Sequence, residues 1–446
     1  MRNYIYKLHV LDETILYSEY NSMFSNNIND QILLAKIDLA EYIENFKIEN
    51  LNLCINISNI CNLKCDYCFN NEKKDESTDI EKIKLIINDF VYRYSDCEKI
   101  YVDLSGKGEP LLKLSLIYQI NDFCKDLSNR IFKEILVSFV TNGVLLTPNI
   151  AESLQEKGIL FGVSLDGNKE NHDMYRKDVK GNGTYDLILG NIKKIKNRKY
   201  IGCAVTLTNN VFSLVESLKE LTKFFNTISY KPVRDNKLGF NRNNIGKWLK
   251  EYQKLTLFLC EKTSENDLKF IKTLLNGEDY FGKFIYRCLM NSRTLNRCDA
   301  GISRFAINSD GEIYDCPAQS MSYNKKTEIQ PIENLKNQIH RLKNHCSYCK
   351  FKLICGGECT VVWNSKKKND KIMCKFKEQL IKYALYIVYK LRYCYDEKIY
   401  TELIDFCKEK NNRNYMDEEL KEFLLSNPHY SFNEGKKIFD EIKNRY

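Results

Sequence analysis

The chain has 446 residues, 43% hydrophobic and 28% charged, which is the range of a soluble globular protein with room for two or three domains. Its formal charge of +9 sits on a Lys- and Asn-rich background in which lysines alternate with acids along the helix candidates, as over 79–84 and 418–421. No Arg–aromatic cluster points to nucleic acid, and no apolar run reaches the about 18 residues of a membrane helix. The start, Met1-Arg2-Asn3-Tyr4-Ile5-Tyr6-Lys7, lacks the apolar stretch of a signal peptide, so a cytoplasmic protein is expected. In that compartment thiols stay reduced, and 18 cysteines point to metal or catalysis rather than to disulfides.

From the N-terminus, residues 1–50 suggest a hairpin over 4–17 with Asp12-Glu13 near its turn, then a helix over 31–46. From residue 51, β-branched runs alternate with segments of helical period. Strands are expected over 51–57, 99–104, 135–140, 160–165, 200–207 and 227–231. Helices are expected between them, over 79–94, 111–127, 148–157, 184–197 and 211–225. Thr147 before Pro148 reads as an N-cap followed by a first-turn proline. Six strands, each followed by a helix or crossover, predict an α/β fold with a parallel sheet that curls into a partial (β/α)6 barrel. Functional residues should then lie just past the C-terminal ends of the strands. The rhythm stops near Arg234. Residues 1–50 read as an N-terminal cap or reduced peptide-binding segment and 51–233 as the barrel. Residues 234–285 read as a helical linker, 286–395 as a Cys-rich domain, and 396–446 as a helical extension broken at Pro428.

Directly after the first barrel strand stands Cys61-Asn62-Leu63-Lys64-Cys65-Asp66-Tyr67-Cys68-Phe69. Three cysteines on a loop can hold three corners of a four-iron cluster and leave one iron open, whereas structural zinc takes four ligands. C-x3-C-x2-C with an aromatic between the last two cysteines resembles the signature of radical S-adenosylmethionine (SAM) enzymes. The resemblance implies that SAM chelates the open iron and that one electron from the cluster cleaves it to a 5′-deoxyadenosyl radical. The protein then supplies positioning while the cofactor does the difficult chemistry. Loops after later strands are similar to other parts of that family's SAM site. Gly106, Gly108 and Glu109 lie in Ser105-Gly106-Lys107-Gly108-Glu109-Pro110, which resembles the Gly-Gly-Glu-Pro segment that meets the methionine ammonium. Lys107 stands where the first glycine of the pair usually sits, but the two glycines permit close backbone approach. Thr141 and Asn142, before Gly143, resemble the family's Thr-Asn-Gly turn. Ser164 and Asp166, in Ser164-Leu165-Asp166-Gly167, look like its ribose-contacting segment. Arg176 closes His172-Asp173-Met174-Tyr175-Arg176 at the place where an arginine pairs with the SAM carboxylate, a role that suits its planar fork. Tyr67 counts as cofactor-binding on the same resemblance, and Thr206 and Asn209 are weaker candidates.

A second set runs Cys298-x12-Gly311-x4-Cys316, then Cys346-x2-Cys349-x5-Cys355-x3-Cys359, then Cys374. It matches the SPASM domain, an extension of radical SAM enzymes that binds two auxiliary four-iron clusters. By that resemblance Cys288, Cys298, Cys316 and Cys359 would hold the first auxiliary cluster, and Cys346, Cys349, Cys355 and Cys374 the second. Cys288 stands outside the seven-cysteine pattern; without it the first cluster keeps an open iron. Residues 308–314 read as a hairpin with an Asp310-Gly311 turn that brings Cys298 and Cys316 together. The cysteines at 54, 97, 124, 203, 260, 394 and 407 lack metal spacing, and most read as small core residues. Two zinc ribbons are the alternative for the C-terminal set.

SPASM enzymes mostly act on peptides and proteins. The resemblance therefore implies a precursor peptide or protein as substrate and a flavodoxin- or ferredoxin-type reductant, with no membrane or nucleic-acid partner. The cofactors implied are SAM and three [4Fe-4S] clusters. Peptide maturases of this kind form thioether, ether or C–C cross-links, whereas anaerobic sulfatase maturases oxidise Cys or Ser to formylglycine. The latter carry an aspartate, the proposed base, right after the cysteine of the Gly-x4-Cys motif. Here Pro317 follows Cys316 and cannot accept a proton, although Asp315 is adjacent. The reading is a radical SAM peptide maturase, with sulfatase maturation as the alternative and a non-enzymatic zinc or electron-transfer scaffold as a remote one. Many such maturases bind a leader peptide as an added strand on an N-terminal winged-helix domain; the hairpin here is either a reduced version or a cap on the barrel.

Overall fold

The computed structural model describes residues 5–18, 24–25, 39–70, 78–198, 200–233, 237–277, 279–318, 328–359 and 371–412. The expected hairpin forms: β1 (Ile5–Val10) pairs antiparallel with β2 (Glu13–Ser18), and β3 (Phe24–Ser25) adds to β2. Of the helix expected over 31–46, the described part is α1 (Leu39–Glu44). The alternating region follows as β4 (Asn50–Ile55), α2 (Ile80–Arg93), β5 (Lys99–Asp103), α3 (Leu114–Ile131), β6 (Glu134–Thr141) and α4 (Pro148–Glu156). It continues with β7 (Leu160–Ser164), α5 (Lys169–Tyr175), α6 (Tyr185–Lys194), β8 (Gly202–Leu207), α7 (Leu214–Leu221) and β9 (Thr227–Pro232). Helices α8 (Ile245–Ser264), α9 (Lys269–Asn276) and α10 (Tyr280–Leu289) fill the linker. The Cys-rich region holds β10 (Arg304–Ile307), β11 (Ile313–Tyr314), α11 (Pro331–His345), α12 (Lys352–Cys355) and α13 (Lys371–Tyr393), and α14 (Glu397–Asn412) follows. The expected break at Pro428 lies outside the described residues.

Strands β4 to β9 are parallel, each beside the next in sequence. Side chains alternate between the two faces of a strand, and the sequence exploits this. Leu53, Val102, Val137, Val163 and Val205 are buried on the helix-covered face. On the other face Asn52, Asp103, Ser138, Ser164, Ala204 and Thr206 are only partly buried. The helices match. In α2, Ile83, Ile87, Phe90 and Val91 form one buried stripe, and the Asp79 carboxylate caps the first turn by accepting from Lys82 N at 3.0 Å. Thr147 caps α4 with Pro148 in its first turn, as the sequence predicts.

The sheet has eight strands, in the order β11-β10-β4-β5-β6-β7-β8-β9, rather than the six expected. Strand β10 joins the free edge of β4 in parallel, and β11 folds back on β10. Phe305 drives this pairing: it is buried, with its ring centroid 4.9 Å from that of Phe90 and 5.9 Å from that of Tyr94. The N-terminal hairpin lies against α13, where Tyr386 Oη donates to Asp12 Oδ1 and Lys390 Nζ to Glu13 Oε1, both at 2.7 Å. Tyr17 packs on Phe351, just before α12. Among the described residues no helix is long and apolar enough to cross a membrane.

Candidate functional site

The Cys61–Cys68 loop leaves the C-terminal end of β4 and is laid against the residues that follow α5. Lys64 N donates to Lys177 O at 2.8 Å, Asp66 N to Tyr175 O at 3.0 Å, and Leu63 bridges Asp178. All three thiols are partly exposed. Burial pushes the Cys65 thiol up to about 11, with Arg176 opposing and the nearby Cys68 and Cys61 adding to the rise. Around Cys61, Leu63 N donates to the sulfur at 3.4 Å and Asn142 Nδ2 at 3.7 Å. Donors of this kind favour a thiolate. Among the described residues no three His, Cys, Asp or Glu side chains converge on a point that would suit one ion. A four-iron cluster, with one thiolate on each of its irons, needs no such convergence.

The loop after β5 packs backbone to backbone on the loop after β4. A Cβ on Gly108 would collide with Ile60 O and Ser58 O, and one on Gly106 with Asn56. The close approach that these glycines permit is therefore first to the neighbouring loop. Glu109 is 2% exposed and ties the next loop in. Its Oε1 accepts from Thr141 Oγ1 at 2.6 Å and from Leu111 N at 3.1 Å, and its Oε2 accepts from Asn142 N at 2.8 Å. Burial raises its proton affinity against these three bonds. Asn142 Nδ2 also donates to Asn62 Oδ1 at 2.7 Å, which links the turn after β6 to the cysteine loop.

Tyr67, Asp166 and Arg176 meet in one buried cluster. Tyr67 Oη donates to Asp166 Oδ2 and accepts from Arg176 Nη1 at 2.8 Å. Arg176 Nη1 lies 3.9 Å from Asp166 Oδ2, and Thr206 N donates to Asp166 Oδ1 at 2.7 Å. Burial works against the charge of Arg176, but Tyr67, Asp166 and Cys65 around it hold the guanidinium protonated. Among the described residues the Nε of this buried arginine has no hydrogen-bond partner. A buried donor left unsatisfied is costly, so the atom marks a place where an acceptor belongs. Ser164, at the end of β7, pairs in register with Ala204 and is half-buried. Thr206 serves Asp166, and Asn209 Oδ1 accepts from Tyr175 Oη at 3.1 Å.

The second cysteine set gathers around α11, α12 and α13. Cys346 caps the end of α11 and Cys355 ends α12, after which Gly356 and Gly357 turn the chain with positive φ of 73° and 93°. Burial pushes the Cys346 thiol up to about 11, reinforced by Cys349, Cys355 and Cys374 close by. These four are brought together. Cys298 stands near Cys359, which adds to the rise that burial causes in its thiol. Gly311 turns the hairpin with φ of 81°, and Gly301 N donates to Asp315 O at 3.2 Å, joining the stretches that carry Cys298 and Cys316. Cys316 neighbours Cys54, which faces Asp103 and Arg304 as well. Cys288 is 3% exposed inside α10, and its charged neighbour is Arg287 rather than another thiol. Sequence reasoning missed the buried Lys377 and the partly buried Glu358 among the cysteines: Lys377 Nζ pairs with Glu358 Oε2 at 2.9 Å, and Glu358 Oε1 accepts from Cys359 N at 2.8 Å. Lys377 stands three residues after Cys374 but belongs to no part of the cysteine pattern, so the sequence gives it no signal of its own.

The chain matches the radical SAM superfamily over residues 55–228. It is 26% identical over 379 residues to the cysteine-type anaerobic sulfatase-maturating enzyme of Clostridium novyi (strain NT), covering 75% of this chain and 96% of that relative. It is 22% identical over 404 residues to the radical SAM cyclopropyl synthase TigE of Paramaledivibacter caminithermalis, covering 82% and 79% respectively. Its fold is like that of native anSMEcpe with bound AdoMet, with a TM-score of 0.60 at 22% identity over 76% of this chain and 98% of that one. The chain belongs to the radical SAM superfamily, among the maturases with a SPASM extension, and is an enzyme. That family uses a [4Fe-4S] cluster and SAM.

Proposed function

We propose that this enzyme matures a ribosomally made peptide by abstracting a hydrogen from one of its residues and closing a thioether, ether or C–C cross-link. The Asp315-Cys316-Pro317 step carries the choice. Pro317 offers no proton acceptor where sulfatase maturases have an aspartate. The carboxylate of Asp315 is turned to the protein's own groups: a Cβ on Gly301 would sit 2.6 Å from its Oδ1 and from Asn334 Nδ2, and Arg341 is nearby. Oxidation of Cys or Ser to formylglycine is the second reading, favoured by the extent of the match to the Clostridium novyi relative.

Cys61, Cys65 and Cys68 would hold the cluster that binds SAM. Cys346, Cys349, Cys355 and Cys374 would hold one auxiliary cluster, and Cys298, Cys316 and Cys359 another, with Cys288 as the proposed eighth ligand. When bound, SAM and its cluster supply the radical that takes the substrate hydrogen. The unpartnered Nε of Arg176 supports a carboxylate ligand there. Gly106, Gly108, Glu109, Thr141, Asn142, Ser164, Asp166 and Tyr67 would shape the rest of the SAM pocket, and a flavodoxin- or ferredoxin-type protein would deliver the electron.

Anaerobically purified protein should contain about twelve irons per chain, three clusters of four, and should cleave SAM after reduction. Zinc in place of iron, without SAM cleavage, would refute the whole assignment. Co-expression with short peptides encoded beside the gene, followed by mass spectrometry, decides the reaction. A loss of two hydrogens without a new aldehyde supports a cross-link; a new aldehyde supports formylglycine and removes the cross-linking reading.

A further inference from the structure

One buried side chain bonds the Asp166 backbone directly and reaches the Arg176 backbone through Thr184. His172 is fully buried on α5. Its Nδ1 accepts from the Asp166 amide at 3.2 Å, and its Nε2 lies 3.0 Å from Thr184 Oγ1. Thr184 Oγ1 in turn donates to Arg176 O at 3.1 Å. The hydroxyl proton is thus spent on the carbonyl, so Oγ1 must accept from His172 Nε2–H. Nδ1 is left bare to accept from the Asp166 amide. The bonding pattern assigns one neutral tautomer. The imidazole and the Tyr185 ring meet in a T-shaped contact at a centroid distance of 5.5 Å.

The two residues tied by this imidazole are those whose side chains share the Tyr67 hydroxyl. Tyr67 sits between Cys65 and Cys68. A continuous chain of hydrogen bonds therefore runs from the cysteine loop through Tyr67 to Asp166 and Arg176, and behind them through His172 and Thr184.

We propose that His172, as a neutral imidazole, is the positioning residue that locks Asp166 and Arg176 in one arrangement and so keeps the unpartnered Nε of Arg176 available to the SAM carboxylate. This rests on the SAM-site reading above. No other side chain supplies an acceptor and a donor on opposite edges of one rigid ring. Phenylalanine fills the space but leaves the Asp166 amide and the Thr184 hydroxyl oxygen without their partner. Asparagine can place an acceptor near the Nδ1 position, and glutamine a donor near the Nε2 position.

The test measures SAM affinity by equilibrium dialysis on anaerobically reconstituted protein, together with iron content and the change in the electron paramagnetic resonance spectrum of the reduced protein when SAM is added. His172→Phe should weaken SAM binding at least tenfold and abolish the SAM-induced spectral change while keeping its iron. His172→Asn and His172→Gln should each recover part of the affinity, since each restores one of the two bonds. Affinity within twofold of wild type in His172→Phe overturns the proposal. So does an equal loss in all three variants, or a loss of iron and fold in His172→Asn and His172→Gln, since either result marks His172 as core filling. Wild-type protein with its full iron but no SAM affinity would instead refute the site reading itself.

Discussion

Arg176 gathers the most consequences into one residue. It is 7% exposed, its Nη1 bonds Tyr67, and its Nε has no partner among the described residues. A lysine there would keep the charge but lose the fork that can bond Tyr67 and a ligand at once. Arg176→Lys is expected to weaken SAM binding by about tenfold or more, since each lost charge-assisted bond is worth about 1.5–3 kcal/mol; equilibrium dialysis with circular dichroism as a folding control checks it. His172 makes a second prediction, about pH. Burial, with Arg176 and Lys169 adding to it, pulls its proton affinity down to about 2. In the unfolded chain a histidine titrates near pH 6.5, so below that pH the unfolded state binds more protons and stability falls with acidity. The slope is up to about 1.4 kcal/mol per pH unit for this group. In urea titrations the stability advantage of wild type over His172→Asn should therefore shrink from pH 7 to pH 5; an advantage that grows on acidification would contradict a neutral imidazole. At this scale the cysteine signature and the Arg176 motif were legible because short spacings carry them. The Tyr67–Asp166 bond was not, because 99 residues separate its partners.

At the scale of elements, the sequence placed strands β4 to β9 and the helices between them because each has its own period. Val102 and Val137 point to helices while Asp103 and Ser138 point the other way, and this alternation is visible in the bare sequence. What the periods did not reveal is how the loops touch. Gly108 is expected to permit close backbone approach, and its missing Cβ first makes room for Ile60 O and Ser58 O. Gly108→Ala should push the loop after β5 away from the loop that leads into Cys61. The expected outcome is a loss of stability of about 1–3 kcal/mol, in the range for overpacking a tight contact, with weaker SAM binding. A thermal melt equal to wild type would mean that the loops can separate without cost. The turn at Thr141-Asn142 is similar. Its resemblance to the family's Thr-Asn-Gly turn marks it as a site segment, but only the folded chain puts Glu109 between the two loops.

Across the whole molecule, the Cys-rich region is joined to the barrel by a shared sheet. β10 lies beside β4, although some 250 residues separate Asn52 from its partner Arg304. Phe305 fixes that seam against Phe90 and Tyr94. Phe305→Ala should cost about 3–5 kcal/mol, read as a lower urea midpoint, because a buried aromatic leaves a cavity at the junction. Iron content should fall with it, since the hairpin after β10 carries Cys316; an unchanged midpoint would show that the seam does not hold the two parts together. The pair Lys377–Glu358 plays a related part by pinning the Gly357–Cys359 segment to the helix that carries Cys374.

Taken by itself, the sequence determined the kind of chemistry and the α/β class. Cysteine spacing on a short loop, like the periods of strands and helices, is local and survives without coordinates. The tertiary structure decided the eight-strand sheet, the buried Tyr67–Asp166–Arg176 cluster, the histidine behind it and the lysine among the distant cysteines. Those depend on contacts between residues far apart in the chain, which are selected by packing and by the cost of leaving buried polar groups unpaired. Neither leaves a mark in any single window of sequence.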